Sequence, residues 1–118
     1  MPGALRADVA EVLGILLADD DPAHVALRLQ IPHLSVHASC TCGCGTTYFG
    51  LDRGAVEPPP SEPGTRVAAQ ALIHTTDGTC PGEVLAFTTS GYLSWLEVSS
   101  WDDDTDVTLG LARRSLHR

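Results

Sequence analysis

The stretch EVLAFTTSGYLSWLEVSS, residues 83–100, decides the fold because two strand-like runs flank a single turn signal. Both runs are rich in β-branched and aromatic residues, and the serine–glycine pair between them is typical of a two-residue hairpin. We therefore predict two antiparallel strands joined at Ser90-Gly91. The segment RVAAQALIHT, residues 66–75, predicts a further strand, which ends at the turn signals of TDGTCPG.

The segment before these strands also alternates with a period of two. Leu34, Val36 and Ala38 alternate with polar residues, which predicts a half-buried strand with these three side chains on one face. TTYFGLD, residues 46–52, predicts the returning partner of that strand. The proline-rich EPPPSEPG, residues 57–64, cannot enter a sheet interior and predicts an extended connector.

The first thirty residues show the helical period instead. Apolar residues recur on one helical face, which predicts a helix from about residue 4 to 18; they are Leu5, Val9, Val12, Leu13, Leu16 and Leu17. Asp21 and Pro22 are typical of the start of a second helix, which must end before Pro32.

Together these patterns predict one α+β domain of 118 residues. Two N-terminal helices in residues 1–31 pack on an antiparallel sheet of about five strands in residues 33–101. An acidic loop and a tail follow in residues 102–118, and the pattern of the tail is compatible with a short helix or with disorder.

Composition excludes several functions. All seven basic residues are arginine, and a chain without lysine can form neither a Schiff base nor a P-loop. The formal net charge of −8 disfavours nucleic acid as a partner and favours a basic protein. No apolar stretch has the length of a membrane span, and the N-terminus lacks the pattern of a signal peptide, so we expect a cytoplasmic protein without a membrane partner.

The segment CTCGCG, residues 40–45, raises the possibility of a zinc site. Strong zinc motifs space their cysteines as CxxC, whereas here the spacing is CxC twice, and the chain must curl at Gly43 and Gly45 to bring the thiolates together. His37 or His74 can replace a cysteine. The candidate metal ligands are Cys40, Cys42, Cys44 and Cys80.

Two other interpretations of the cysteines stay open. A disulfide between Cys40 and Cys80 would join the first hairpin to a later turn, provided that the two Cα atoms lie within about 7 Å. Alternatively, all four cysteines are small buried apolar residues, as free cysteines in reducing compartments often are.

The acidic segment DDDTD, residues 102–106, is similar to the start of a calcium-binding loop. The sixth position should be glycine and is Val107, and the twelfth should be glutamate and is Arg113, so an EF-hand is excluded. An exposed tryptophan beside these carboxylates would instead form an interaction edge. The candidate partner-binding residues are Trp101, Asp102, Asp103 and Asp104.

No catalytic residues are assigned. The sequence contains no GxSxG motif around its serines, and its five histidines form no HExxH motif. The strongest patterns are therefore structural, and the leading functional hypothesis is a non-enzymatic binding module. The alternative hypothesis is a small zinc-binding or thiol-redox protein that uses the cysteines.

The run GEVLAFTTSGYLSWLEVSSWDDD resembles the C-terminal signature of a family of small bacterial proteins of unknown function. The cysteine–glycine loop and the leucine-rich N-terminal helix are also similar to that family. The chain departs from the family pattern at Ala86 and at Ser99-Ser100. The phrase GYLSWLEV is further similar to the last hairpin of some toxin-immunity families, and this likeness implies binding of a basic toxin.

Overall fold

In the described part of the chain, two helices near the N-terminus are followed by five consecutive strands and a last helix. The structure is a computed structural model, and it describes residues 3–39, 45–56, 63–101 and 107–116. In chain order the elements are β1 (Gly3–Ala4), α1 (Ala7–Leu16), α2 (Pro22–Arg28), a 3-10 turn (Ile31–His33), β2 (Leu34–Ser39), β3 (Thr47–Leu51), β4 (Thr65–Ile73), β5 (Gly82–Thr89), β6 (Tyr92–Ser100) and α3 (Leu109–Leu116).

The strands form one antiparallel sheet in the order β1-β2-β3-β6-β5-β4. Five of them are the strands predicted from the sequence, and β1 adds two residues beside β2. The last strand, β6, returns to the middle of the sheet between β3 and β5. The predicted α+β fold with an antiparallel sheet is therefore confirmed.

The core between the helices and the sheet is aliphatic. Val9, Val12 and Leu13 of α1 are fully buried, as the helical stripe predicts. They meet Ile73 and Leu96 and the other core residues on one face of the sheet. Burial of each such side chain stabilises the fold by about 1.5–3 kcal/mol, so this contact fixes which sheet face is covered by helices.

The N-terminal helices begin and end near the predicted residues. The first helix is shorter than the predicted span of residues 4–18, since it covers Ala7–Leu16. The second begins at Pro22, and the carboxylate of Asp21 accepts a hydrogen bond from the Ala23 amide at 2.9 Å. The Arg28 guanidinium donates to the carbonyl oxygens of Leu17 and Asp19, which joins α2 to the end of α1.

The tail contains a third helix, α3, where the sequence left a helix and disorder open. The Thr108 hydroxyl accepts a hydrogen bond from the Leu111 amide at 3.2 Å and caps its start. An ion pair of 2.6 Å between Arg113 and Glu11 joins α3 to α1. The helical layer is thus larger than the two predicted helices. Within the described ranges, no helix combines the length and apolar character that crossing a bilayer requires.

Three β-bulges decide which side chains face the core. The pairing registers shift at His37 in β2, Ala68 in β4 and Ser94 in β6, so each strand carries one residue without an opposite partner. The bulge in β6 allows Leu93 and Leu96 both to be buried, although they are an odd number of residues apart. The bulge in β2 likewise exposes Ala38, so its predicted place on the buried face was wrong.

The predicted turn at Ser90-Gly91 is present, and both residues have positive φ, of 51° and 87°. This is the geometry of a type I′ hairpin turn. The buried side chain of Gln30 holds it from the helical side. Its amide nitrogen donates to the Gly91 carbonyl at 3.0 Å, and its oxygen accepts from the Leu93 amide at 2.9 Å.

Candidate binding surface

The sheet face that points away from the helices carries a continuous row of apolar side chains. In the strand pairing, Val67 stands opposite Phe87, Phe87 opposite Trp95, Trp95 opposite Tyr48, and Tyr48 opposite Ala38. Four steps between neighbouring strands, each of about 4.8 Å, make this row about 19 Å long. We call these five residues the apolar row, and the sheet face that carries them the open face.

Aromatic contacts hold the centre of the apolar row. The rings of Phe87 and Trp95 are stacked, with centroids 4.3 Å apart and planes at 11°. The Tyr48 ring is tilted against Trp95 with centroids 6.2 Å apart. Such pairs contribute about 0.5–1.5 kcal/mol beyond the burial of their area. The row is therefore an ordered surface rather than a set of independent side chains.

The open face leaves much of its apolar area in solvent. Tyr48 is 43% exposed, Val67 is 44% exposed and Leu72, on the same face of β4, is 49% exposed. All six aromatic residues lie in the described ranges, and of these Phe49 packs against the core. The other five lie outside the core cluster; they are Tyr48, Phe87, Tyr92, Trp95 and Trp101.

Two carboxylates lie beside the apolar row. Glu97 follows Trp95 by two residues on β6, and its pairing partner on β5 is Leu85. Glu83 lies two residues before Leu85 on β5, where it pairs with Leu72 of β4. Neither carboxylate has a hydrogen bond or an ion pair with any residue of the described ranges. This end of the open face is therefore negatively charged and has no counter-ion among the residues that the structure describes.

The other end of the open face carries a cation. The Arg53 guanidinium lies over the Tyr92 ring, with its central carbon 4.6 Å from the ring centroid. A cation–π contact at an exposed site contributes about 0.5–1 kcal/mol. The guanidinium is therefore used inside the molecule, whereas the carboxylates of Glu83 and Glu97 stay available.

The predicted interaction edge is described in part. Trp101 is 56% exposed, and its amide donates to the Pro81 carbonyl at 2.8 Å, just beyond the end of β6. Its exposure meets the condition for an interaction edge, and the edge itself stays a prediction. Asp102, Asp103 and Asp104 lie outside the described residues. Trp101 is at the end of the sheet where Glu83 lies, so the predicted edge and the open face adjoin.

Three of the four candidate metal ligands, Cys40, Cys42 and Cys44, lie outside the described residues. Cys80 is half-buried and unbridged, and its thiol donates to the Gly82 carbonyl at 3.6 Å. The described ranges contain no group of three histidines, cysteines or acidic residues that could hold a metal ion. A zinc site with all four cysteines therefore stays a prediction.

The topology places the flanks of the cysteine segment and Cys80 at the same end of the sheet. Thr46 precedes β3, and its hydroxyl oxygen accepts a hydrogen bond from the Val98 amide near the end of β6 at 3.0 Å. Cys80 comes just before the start of β5, the other neighbour of β6. The two neighbours of β6, which are β3 and β5, lie about 10 Å apart. A metal ion that is shared by cysteines beside both strands would have to bridge this distance.

His74 lies in a different environment from Cys80. Its amide donates to the Ser115 hydroxyl at 2.8 Å, which joins the end of β4 to α3. Its side chain lines a shallow cleft of about 180 Å³ together with Leu111 and Arg114. The positive charge of the arginine opposes a metal cation at this place, so His74 is a poor substitute ligand.

His24 holds the bulge of the edge strand β4. Its Nδ1 lies 2.8 Å from the Asp19 carboxylate, and its Nε2 lies 2.8 Å from the Ala68 carbonyl oxygen. Burial alone would lower the pKa of His24, but the hydrogen bonds to Ala68 and Asp19 outweigh it and raise the pKa above its usual value. Both acceptors lack a proton to donate, so the two hydrogen bonds form together only in the imidazolium form of the ring.

No protein-family model, curated protein or solved structure matches this chain. The resemblance of its C-terminal run to a family of small bacterial proteins stays a prediction. The candidate site therefore depends on the geometry of the open face alone.

Proposed function

We propose that this protein is a non-enzymatic binding module and that the open face of its sheet contacts the partner. The observation that carries the proposal is the position of the aromatic residues. Tyr48, Phe87 and Trp95 form an ordered row on the solvent side of the sheet, while the core is filled by aliphatic residues. Aromatic side chains are enriched among the residues that dominate the energy of protein interfaces.

The energetics favour this surface as a contact. Stacking has already restricted the Phe87 and Trp95 rings, so a partner that covers them orders few additional rotamers. The exposed parts of Tyr48, Val67 and Leu72 would leave water on contact, which is favourable by about 25 cal/mol per Å² of apolar area.

The partner in this proposal is a basic protein in the cytoplasm. The net charge of −8 and the open-face carboxylates, which pair with no cation of the described ranges, support a positively charged partner. An immunity protein that blocks a basic toxin is one form that such a module takes, and it follows from the hairpin resemblance. Trp101 and the predicted acidic residues Asp102, Asp103 and Asp104 extend the contact at one end.

Capture by the immobilised protein from an extract of its own cells tests the proposal. Tyr48→Ala and Trp101→Ala should each reduce the amount of retained partner by about tenfold or more, as expected for interface aromatics. Leu29→Ala is the matched control, because Leu29 is 69% exposed and lies at the end of α2, away from the open face. Equal retention by all three folded variants would contradict a contact through the open face.

A second candidate function is zinc binding or thiol redox chemistry at the cysteines. It is favoured by one observation, the position of Cys80 and the flanks of residues 40–44 at the same end of the sheet. The mass of the natively purified protein, compared with its denatured mass, tests this candidate. An additional mass of one zinc ion that is lost on denaturation, and that is absent after all four cysteines are changed to serine, would support it. Two masses that both match the reduced apo chain would contradict it.

A further inference from the structure

We infer that the open face binds a short segment of a partner protein in which apolar side chains stand next to arginine or lysine. This inference rests on the proposed function and specifies the chemistry of the partner. It is carried by the dimensions of the apolar row and by the carboxylates of Glu97 and Glu83, which have no counter-ion in the described ranges.

The dimensions match a segment better than a folded surface. The apolar row is about 19 Å long, and the pair of Leu72 and Glu83 extends the face by about 14 Å along the strands, past Leu85, which is only 7% exposed. The resulting footprint of about 270 Å² is well below the roughly 800 Å² per partner of a standard interface between folded proteins. An extended segment of about six residues spans 19 Å.

The charges of the open face determine which residues of the partner segment can stand beside its apolar side chains. A side chain that covers Trp95 brings the side chain two residues away, on the same face of the segment, close to Glu97, since residues two apart on a strand are separated by less than 7 Å. Glu97 has no counter-ion in the described ranges, and Arg53 is engaged with Tyr92 at the opposite end. An arginine or lysine of the partner would supply the missing charge, and an acidic residue there would be repelled.

A second copy of this chain fits the face less well. It would bring a further net charge of −8 against two uncompensated carboxylates. It would also present the same small footprint, which is below the area of a stable dimer. Both arguments favour a basic segment of a different protein.

Peptide binding tests the inference with the full chain. In a Trp101→Phe background, Trp95 is the remaining tryptophan, so its fluorescence reports on the open face. The probe is a synthetic peptide of about eight residues in which leucine and arginine take turns at every second position, with serine between them, so that both face the sheet and the peptide is long enough to cross the apolar row. Two matched peptides replace every arginine by glutamate, or every leucine by serine.

We expect the leucine–arginine peptide to change the fluorescence of Trp95 in a saturable way and both matched peptides to bind at least about tenfold more weakly. Glu97→Arg should weaken its binding by about tenfold. Asp20→Arg is the control, because it changes the net charge equally at an exposed loop between the helices. Its effect should stay within about twofold, since an exposed distant charge is screened.

Equal binding of the leucine–arginine and leucine–glutamate peptides would overturn the inference, and so would equal effects of Glu97→Arg and Asp20→Arg. A dimer in sedimentation equilibrium that Tyr48→Ala dissociates would assign the open face to a second copy and also overturn it. If the peptides fail while Tyr48→Ala still abolishes capture of a cellular partner, only the chemistry inferred here is wrong. Failure of both experiments would remove the proposed function as well.

Discussion

Replacement of Gln30 by methionine should destabilise the hairpin that carries the apolar row. Gln30 is fully buried, and its two hydrogen bonds satisfy the Gly91 carbonyl and the Leu93 amide. Methionine has nearly the same volume but cannot make either bond, so both backbone groups lose the side-chain partner. Each unsatisfied buried group costs about 1–3 kcal/mol. We therefore expect the free energy of unfolding to fall by about 3 kcal/mol, part of a total of about 5–15 kcal/mol.

Urea denaturation, followed by tryptophan fluorescence, measures this change as a lower midpoint with an unchanged slope. For a chain of this length a loss of about 3 kcal/mol corresponds to a fall of about 12 °C in Tm. The exposed glutamine on β4 supplies the control, because Gln70→Met should change stability by less than about 0.5 kcal/mol. Equal effects of Gln30→Met and Gln70→Met would refute the role assigned to the buried amide.

Gln30→Glu separates the two hydrogen bonds. Its carboxylate still accepts from the Leu93 amide but places a second oxygen against the Gly91 carbonyl, so we expect a larger loss of stability at neutral pH than with methionine. Protonation at lower pH converts that oxygen into a donor and should recover part of the loss. A variant whose destabilisation relative to the natural chain is the same at pH 5 and pH 8 would contradict this geometry.

Three further outcomes follow from the remaining contacts. The pKa of His24 is raised, so the charged side chain contributes fully to stability below the ordinary histidine pKa, and this contribution is lost as pH rises through the raised value. Denaturation at pH 5.5 and 8.5 should therefore show that the difference in stability between the wild type and His24→Gln is smaller at pH 8.5. The hydrogen bond from Thr75 lowers the pKa of Asp77 to about 2, so stability relative to Asp77→Ala should fall as pH drops from about 4 towards 2, as acid titration measures. Gly82→Ala should lower the denaturation midpoint strongly, because a Cβ there would lie 2.0 Å from the Ser99 carbonyl oxygen; an unchanged midpoint would contradict this close approach.

The hairpin and the helical stripe could be predicted because they depend on local chemistry. The turn at Ser90-Gly91 needs two residues that tolerate positive φ, and the sequence shows the pair directly. The α1 stripe of Val9, Val12 and Leu13 is a periodic pattern that few other structures satisfy. These signals fix the α+β class without any knowledge of long-range contacts.

The open face could not be predicted because β-bulges interrupt its alternation. Strict alternation assigns Leu93 and Leu96 to opposite faces, whereas the bulge at Ser94 buries both and turns Trp95 outward. A serine at position 94 is not a sequence signal for a β-bulge. The strand order also matters, because Trp95 meets Tyr48 only when β6 inserts beside β3. Such a long-range pairing leaves no local signal in the sequence.

For a similar reason, the sequence did not identify the structural roles of the buried Gln30 and of His24, which bonds to the bulge at Ala68. Gln30 and His24 stand in ordinary helix and turn sequence, and their partners Gly91 and Ala68 are distant in the chain. For Trp101 the sequence indicated only that an exposed side chain beside the acidic segment would form an interaction edge, and the exposure itself is a finding of the structure.

A photo-cross-linking amino acid at position 48 tests the central claim most directly, because it reports contact at the open face inside the cell. Position 48 holds an aromatic ring that is 43% exposed at the centre of the sheet, and position 29 at the end of α2 provides an exposed control. The account predicts a covalent adduct with one partner protein from position 48 and none from position 29. Adducts with the same protein from both positions, or from position 29 alone, would contradict a binding surface on the open face.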